Sequence, residues 1–197
     1  YAGTNTSVAD ADIVPGADVA GPNMTLSSSS LTLGLAATPG SQTFIKGTKN
    51  VNAVGITFRA SLSSSLKVTD IVLTGYVDDD IAAPFAKIGS VSDASLTTSK
   101  LIGAVRLYEQ ESNTLISGAP AANNLNSSTG TVTFNNLTWN IAAGATRTLL
   151  VQVDLSTNDA SGTAGDGVAF DIDATTDVTA VDSSNNTVNS SNADVNA

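Results

Sequence analysis

Aspartates are the residues of this sequence that bring the most obvious chemistry. Three of them are consecutive at 78–80, and others crowd the last apolar segments of the chain. Carboxylate oxygens are the ligands that Ca²⁺ prefers, so these clusters predict a calcium site. No EF-hand loop or acidic nonapeptide repeat accompanies them, and solvated loop carboxylates that keep the protein soluble are the competing interpretation. The candidate metal ligands are Asp78, Asp79, Asp80, Asp171 and Asp173.

Asparagines followed at the second position by Ser or Thr are candidate acceptors of N-linked sugar. Because Ser and Thr are frequent in this chain, some matches are expected by chance, and the serine-rich stretches 27–30 and 63–65 offer O-linked attachment instead. Asn136 is expected to point away from the core face of its strand, which makes its side chain accessible. The candidate glycosylation sites are Asn5, Asn23, Asn126, Asn136, Asn185 and Asn189.

The usual machinery of an enzyme is missing. The chain contains no histidine and no cysteine, which removes the commonest general base, the thiol nucleophile and the thiolate metal ligands. The only glutamates, Glu109 and Glu111, flank one predicted turn, and Trp139 is expected in the core rather than as a sugar-stacking surface. We therefore expect no catalytic residues, no enzymatic activity and no cofactor other than the candidate Ca²⁺.

The charge balance excludes several classes of partner. The formal net charge is −10, from 8 basic and 18 acidic residues, and only 13% of all residues are charged. Nucleic-acid binding and a basic membrane-binding face both need clustered Lys and Arg, so neither is expected. No apolar run is long enough to span a bilayer. A surface of hydroxyl and amide groups, with Tyr1 preceded by no leader, predicts a processed extracellular or cell-surface protein.

Alternating apolar and polar residues predict the strands that position these groups. The stretch 131–155 is the clearest case, because alternation over 146–155 is unbroken and the turn 142–145 contains a glycine. It predicts two strands paired as a hairpin, with a bulge where the alternation shifts phase after Phe134. A short helix or turn is predicted at 80–86. The predicted strands are 31–37, 42–45, 51–60, 66–77, 101–108, 131–141, 146–155, 167–173 and 177–181, a pattern typical of an all-β antiparallel sandwich.

The chain divides into an extended N-terminal segment at 1–21, a β-sandwich domain at 22–181 and a polar, low-complexity C-terminal tail at 182–197. In the first segment, small apolar residues alternate with aspartates. This pattern suits a donor strand that inserts into the sheet of a neighbouring subunit, or an edge strand that folds back on its own domain. The residues of the candidate donor strand are Val8, Ala9, Ala11, Ile13, Val14, Ala17 and Val19.

Residues 31–181 resemble the Ig-like surface domains of archaeal and candidate-phylum bacterial S-layer, adhesin and filament proteins. The similar segments are, in order, PGSQTFIKGTKNVNAVGITFRAS, LKVTDIVLTG, VRLYEQESNTLIS, VTFNNLTWNIAAGATRTLLVQVDLS and GDGVAFDI. An insertion at 76–99 and both termini depart from the pattern. The resemblance implies an Ig-like antiparallel sandwich with a structural role and no family catalytic residues.

Two functions follow as expectations. The first is a structural subunit of a pilus-like extracellular filament, whose partners are other copies of itself joined head to tail by donor-strand complementation. A head-to-tail contact of this kind does not close on itself, so it generates a fibre. The second is a non-polymerising Ig-like module of an S-layer or adhesin protein that binds glycans, cell surfaces or calcium.

Overall fold

The computed structural model describes residues 21–78, 86–87, 101–117, 125–126, 129–157 and 167–192. Strands occupy most of them. In chain order they are β1 (Leu31–Leu35), β2 (Val51–Ala60), β3 (Leu66–Asp78), β4 (Ala86–Lys87), β5 (Ile102–Glu109), β6 (Thr114–Leu115), β7 (Thr131–Phe134), β8 (Trp139–Ile141), β9 (Thr146–Leu155), β10 (Gly167–Asp171), β11 (Val178–Asp182) and β12 (Thr187–Asn189).

The strands form two antiparallel sheets, as the sequence predicts. Sheet A has the order β1-β2-β9-β5-β6, and sheet B is built on β3, with β10, β11, β7, β8 and β4 all paired to it and β12 outside β11. The prediction of an all-β sandwich of two antiparallel sheets is therefore confirmed.

Strand β3 is the axis of sheet B because it is long enough to pair along both edges. Ile71 is paired with Phe134 of β7 and with Val178 of β11. Thr74 is paired with β7 and with β10. A residue has one partner on each side, so β7 lies on one edge of β3 while β10 and β11 follow one another along the other edge.

The core lies between the two sheets and consists mainly of aliphatic side chains. On β2, Ile56 and Phe58 are fully buried, and Phe134 and Phe170 face them from sheet B. The rings of Phe58 and Trp139 meet edge to face with centroids 5.0 Å apart, a favoured geometry that joins the sheets. The prediction that Trp139 is a core residue is confirmed.

The stretch 131–155 does not form the predicted hairpin. Strand β8 pairs with β3 in sheet B, whereas β9 pairs with β2 and β5 in sheet A. The turn at 142–145, closed by the Ala145 N–H donating to the Ala142 carbonyl at 3.0 Å, carries the chain from one sheet to the other. Both strands turn an apolar face to the same core, so alternation alone cannot tell this crossing from a hairpin. Instead of a bulge, the strand ends at Phe134 and resumes at Trp139, with Asn136 at a φ of 57°.

Two further predictions differ from the structure. Residues 42–45 contain no strand, and Phe44 and Ile45 are exposed rather than buried. The helix or turn predicted at 80–86 lies outside the described residues except for Ala86, which begins β4.

The domain also extends beyond residue 181, where the sequence predicts a separate tail. Asp182 closes β11, and β12 pairs with β11 through Val188, which is buried opposite Ala180. The polar composition hid this strand because only one of its side chains enters the core. The sandwich therefore reaches at least Asn192.

Candidate assembly surfaces

The chain enters the sandwich through an extended segment that lies in solvent. Residues Gly21–Ser28, here called the arm, have no regular secondary structure and are all exposed. Met24 is 93% and Leu26 is 99% exposed, and their spacing places both on one face of an extended chain. Large apolar side chains at full exposure are unfavourable in an isolated subunit. The predicted donor residues Val8, Ala9, Ala11, Ile13, Val14, Ala17 and Val19 lie outside the described residues.

Hydrogen bonds from residues 28–30 to two other serines and to Asp182 fix the point at which the arm leaves the domain. The Ser61 N–H donates to the Ser30 carbonyl at 3.0 Å, and the Ser30 N–H donates to the Ser61 hydroxyl at 3.1 Å. The Ser63 hydroxyl donates to the Ser28 carbonyl at 3.0 Å, and that of Ser29 donates to Asp182 at 3.1 Å. The arm thus emerges where the β2–β3, β8–β9 and β11–β12 turns meet, which we call the arm end.

The outer edge of β1 is partly covered by the chain's own C-terminal residues. Ser190–Asn192, here called the strap, run parallel to β1 from a bridge between Leu31 and Ser190. The Ser191 N–H donates to the Leu31 carbonyl at 2.7 Å. The Asn192 side chain accepts from the Leu33 N–H and donates to the Leu33 carbonyl, both at 2.8 Å. The strap therefore pairs with β1 as a short parallel strand whose last residue uses its side-chain amide.

Beyond the strap, the edge of β1 is open among the described residues. Hydrogen-bonding groups of alternate residues point to the same side of a strand, so those of Leu35 point outward like those of Leu31 and Leu33. The Leu35 side chain is 52% exposed.

A second partly open edge belongs to β5. The Leu107 carbonyl accepts from the Ile116 N–H at 2.8 Å, and the Leu107 N–H donates to the Ser117 hydroxyl at 3.3 Å. Nearer the start of β5, no strand in the described part of the chain pairs with this edge beside Val105. The outer edge of β5 is therefore only partly paired within the described chain.

The end of the sandwich opposite the arm is organised by Asp154. Its carboxylate accepts two bonds from the Arg106 guanidinium, at 2.9 and 2.8 Å, and one from the Asn50 N–H at 3.0 Å. Lys49 lies 3.6 Å away. The Arg106 hydrogen bond is the main reason why the pKa of Asp154 lies well below its usual range, with Asn50 and the nearby positive charges adding to the effect. The group ties the β1–β2 connection to β5 and β9, so its role is structural.

Glu109 performs a similar structural task near the arm end. It accepts hydrogen bonds from the Ser112 hydroxyl and from the indole N–H of Trp139, the latter at 3.1 Å. Arg147 lies 3.4 Å from the same oxygen. These partners, the Ser112 bond first, hold the pKa of Glu109 below its usual value. Both carboxylates are thus engaged by donors of the fold.

The candidate calcium ligands are only partly within the described chain. The Asp171 carboxylate is buried and accepts from the Ile172 N–H at 2.6 Å, and Asp173 accepts from the Tyr76 hydroxyl at 2.8 Å. Asp78 ends β3, but its side chain, like Asp79 and Asp80, lies outside the described residues. Among the residues described, no group of three or more His, Cys, Asp or Glu side chains could hold a metal ion.

The candidate glycosylation sites within the described chain are at exposed positions. Asn136 and Asn185 have φ angles of 57° and 62°, a left-handed conformation that Asn tolerates in turns. All five described candidates are exposed, and Asn5 lies outside: the five are Asn23, Asn126, Asn136, Asn185 and Asn189.

The sequence contains one Ser-x-x-Lys pattern, but the hydroxyl of its serine is engaged in hydrogen bonds within the fold. Ser64 and Lys67 have the Ser-x-x-Lys spacing of some serine nucleophiles. The Ser64 hydroxyl instead bonds the Ser65 carbonyl at 2.9 Å and the Ser183 hydroxyl at 3.0 Å. These bonds join the β2–β3 turn to the β11–β12 turn.

No family model, curated protein or solved structure matches this chain. Within the residues that the structure describes, no helix is long and apolar enough to cross a membrane.

Proposed function

We propose that this protein is a structural subunit of an extracellular, pilus-like filament. Each subunit inserts its extended N-terminal segment into a sheet of the next, so that backbone hydrogen bonds between copies hold the fibre together. The observation that carries this function is the arm, which leaves the sandwich with Met24 and Leu26 almost fully exposed. A partner that covers these side chains gains the free energy of burying them.

The two ends of the sandwich carry different exposed features, and this supports head-to-tail growth. The arm leaves at one end of the sandwich, while Phe44 and Ile45 are exposed on the β1–β2 connection. The Gly47 N–H donates to the Ser156 carbonyl at 3.1 Å, which places this connection beside the end of β9, at the opposite end. When a second copy is stacked on the first in the same orientation, Phe44 and Ile45 of the second copy approach the arm of the first. Such a heterologous contact repeats without closing.

Deleting residues 1–21 tests the proposal. The truncated chain retains Ser28–Ser30 and their bonds to the sandwich, so we expect it to fold, with an unchanged circular dichroism spectrum and a cooperative melt. Light scattering and electron microscopy are expected to show polymers for the full chain and monomers for the truncated one. Fibres formed by the truncated chain would falsify the proposal.

A matched pair of substitutions tests whether one face of the segment is inserted. Ile13→Asp places a charge on the face shared with Ala9 and Ala11, whereas Val14→Asp places the same charge on the face shared with Asp10 and Asp12. Burial of an isoleucine side chain contributes about 2 kcal/mol, so I13D should raise the concentration needed for assembly by at least tenfold. V14D should change it far less, and equal effects would contradict a one-faced insertion.

A further inference from the structure

The outer edge of β1 accepts the strap as a parallel partner. It is therefore an edge that can pair with a further strand. The strap occupies the outward groups of Leu31 and Leu33 with three hydrogen bonds of 2.7 to 2.8 Å. The next outward groups, those of Leu35, continue the same edge. Counting only the described residues, an incoming strand therefore finds one position without a partner strand and two that the strap fills.

The strap contributes only polar side chains, and it is held by hydrogen bonds that include those from the buried Ser190 hydroxyl to the Thr175 and Asn192 carbonyls. Its residues are Ser190, Ser191 and Asn192, so it adds no apolar side chain to the sheet. Its last residue, Asn192, pairs with Leu33 through its side-chain amide instead of its backbone. The part of the candidate donor segment that reaches this edge can pair through its backbone at each position, and it carries the apolar residues Ala17 and Val19 at alternate places. A longer strand of that kind forms more bonds and buries more apolar surface along the same edge.

The direction of the neighbouring arm matches the direction of the strap. The arm runs directly into β1, and the strap runs parallel to β1. In a head-to-tail stack, the arm of the first copy runs alongside the second copy. It starts at the end of the second copy that lies opposite the second copy's own arm. It therefore lies parallel to the neighbour's β1, reaches Leu35 first, and then meets Asn192 and Ser191 in turn.

The reach of the arm fits this path. Leu35 is paired with Ile56 in the middle of β2, about 17 Å along the strand from Val51 at about 3.3 Å per residue. The eight residues of the arm span about 26 Å at the same rise. At this spacing Gly21 would reach Leu35 of the next copy, so the residues placed to follow the five-residue edge of β1 are about 17–21.

We infer that the outer edge of β1 is the acceptor for the N-terminal segment of a second copy, with Ala17 and Val19 beside β1, and that the strap is a built-in competitor that closes this edge in the free subunit. This inference rests on the proposed filament function. It identifies which edge is used and how a free subunit is kept from pairing through it.

A reversible covalent lock tests the inference on the full chain. The hydroxyls of Thr32 and Ser191 lie 3.2 Å apart, and the chain contains no cysteine, so Thr32→Cys with Ser191→Cys introduces one disulfide between β1 and the strap. The matched control is Ser64→Cys with Ser183→Cys, whose hydroxyls are 3.0 Å apart and whose disulfide leaves the β1 edge untouched. Both variants and the parent are assembled with and without reductant, and polymer mass is measured by light scattering and sedimentation.

We expect the oxidised T32C/S191C protein to lose at least tenfold in polymer mass and to recover when reduced, while the oxidised control assembles like the parent. Assembly of the oxidised T32C/S191C protein at the parent level would overturn the inference and direct attention to β5. Failure to recover on reduction would also count against it, since the loss would not come from the closed edge. If instead the chain lacking residues 1–21 still polymerises, the filament proposal itself fails.

Weakening the strap should act in the opposite direction. Asn192→Ala removes both bonds to Leu33 and leaves the sandwich core intact. We expect the concentration needed for assembly to fall several-fold. An unchanged or higher concentration would show that the strap does not compete for the edge.

Discussion

Asp154 offers the sharpest test of how this fold is held together, because one carboxylate joins three parts of sheet A. Its side chain is 10% exposed and that of Arg106 is 14% exposed, so both charges are largely removed from water. The Asn50 N–H adds a third bond to the same carboxylate. Asp154→Asn keeps the shape of the side chain and removes its charge.

The expected loss follows from what is left behind. Arg106 keeps its charge at a largely buried position without a carboxylate partner, and breaking a buried pair in this way typically costs 3–5 kcal/mol. Lys49 is 69% exposed, so its contribution is small. Because some solvent still reaches both Asp154 and Arg106, we expect the lower end of the range, about 3 kcal/mol. This is a large part of the 5–15 kcal/mol that stabilises a typical domain.

The same substitution should make the free energy of unfolding depend less steeply on pH at acidic pH. The pKa of Asp154 in the folded state lies below its value in the unfolded chain, which is about 3.9. The stabilisation is therefore fully present above about pH 4 and is lost as the pH falls through the folded-state pKa. Between pH 5 and pH 2 the parent should lose stability more steeply than D154N.

Urea denaturation followed by circular dichroism measures both effects without adding salt. Asp70→Asn is the control, because it removes the same single charge from β3 at a residue with no ion pair in the described chain. If D154N and D70N differ by less than about 1 kcal/mol at pH 7, or if the two variants depend on pH in parallel, the assigned role of Asp154 is wrong.

Two other substitutions should lower the free energy of unfolding for reasons visible in the structure. Gly55→Ala would place a Cβ 2.4 Å from the Thr38 carbonyl oxygen, so we expect a loss of about 2 kcal/mol by overpacking, whereas Gly103→Ala, with 3.6 Å to its nearest atom, should be nearly neutral in the same urea experiment. Trp139→Phe removes the donor to Glu109 and should cost about 1.5 kcal/mol. It should also let the pKa of Glu109 rise towards its usual value, measurable by NMR titration; an unchanged Glu109 titration would show that the indole bond does not matter.

Sequence reasoning predicts the strands well where burial alternates. The bounds of β2 and β9 agree with prediction, since both carry an apolar face that only a half-buried strand requires. Which strands pair with each other cannot be read from one segment, because it depends on residues far apart in the sequence. Strands β8 and β9 have the same kind of face and a turn between them, yet they belong to different sheets because β3 offers β8 a partner.

The acceptor edge is harder to predict than the donor. The proposed donor strand is a local pattern of small apolar residues, so sequence alone is enough to predict a candidate at 8–19. An acceptor edge is defined by hydrogen-bonding groups that no other strand uses, and this depends on the order of all strands in the sheet. Only the three-dimensional pairing shows that β1 has an outer edge and that β2 has none, because β1 and β9 pair with β2 on its two sides.

The strap shows why a polar terminus is easily misjudged. Residues 190–192 are held through backbone groups, two serine hydroxyls and one side-chain amide, and none of these contributes to an apolar periodicity. Composition therefore classes residues 182–197 as a tail, although Val188 is buried and the Asn192 side chain binds both groups of Leu33. A segment held only by hydrogen bonds to an edge is also one that a longer, more apolar strand can displace. The polar composition that hides the strap from sequence reasoning is thus the same property that suits it to the proposed role of a reversible competitor at this edge.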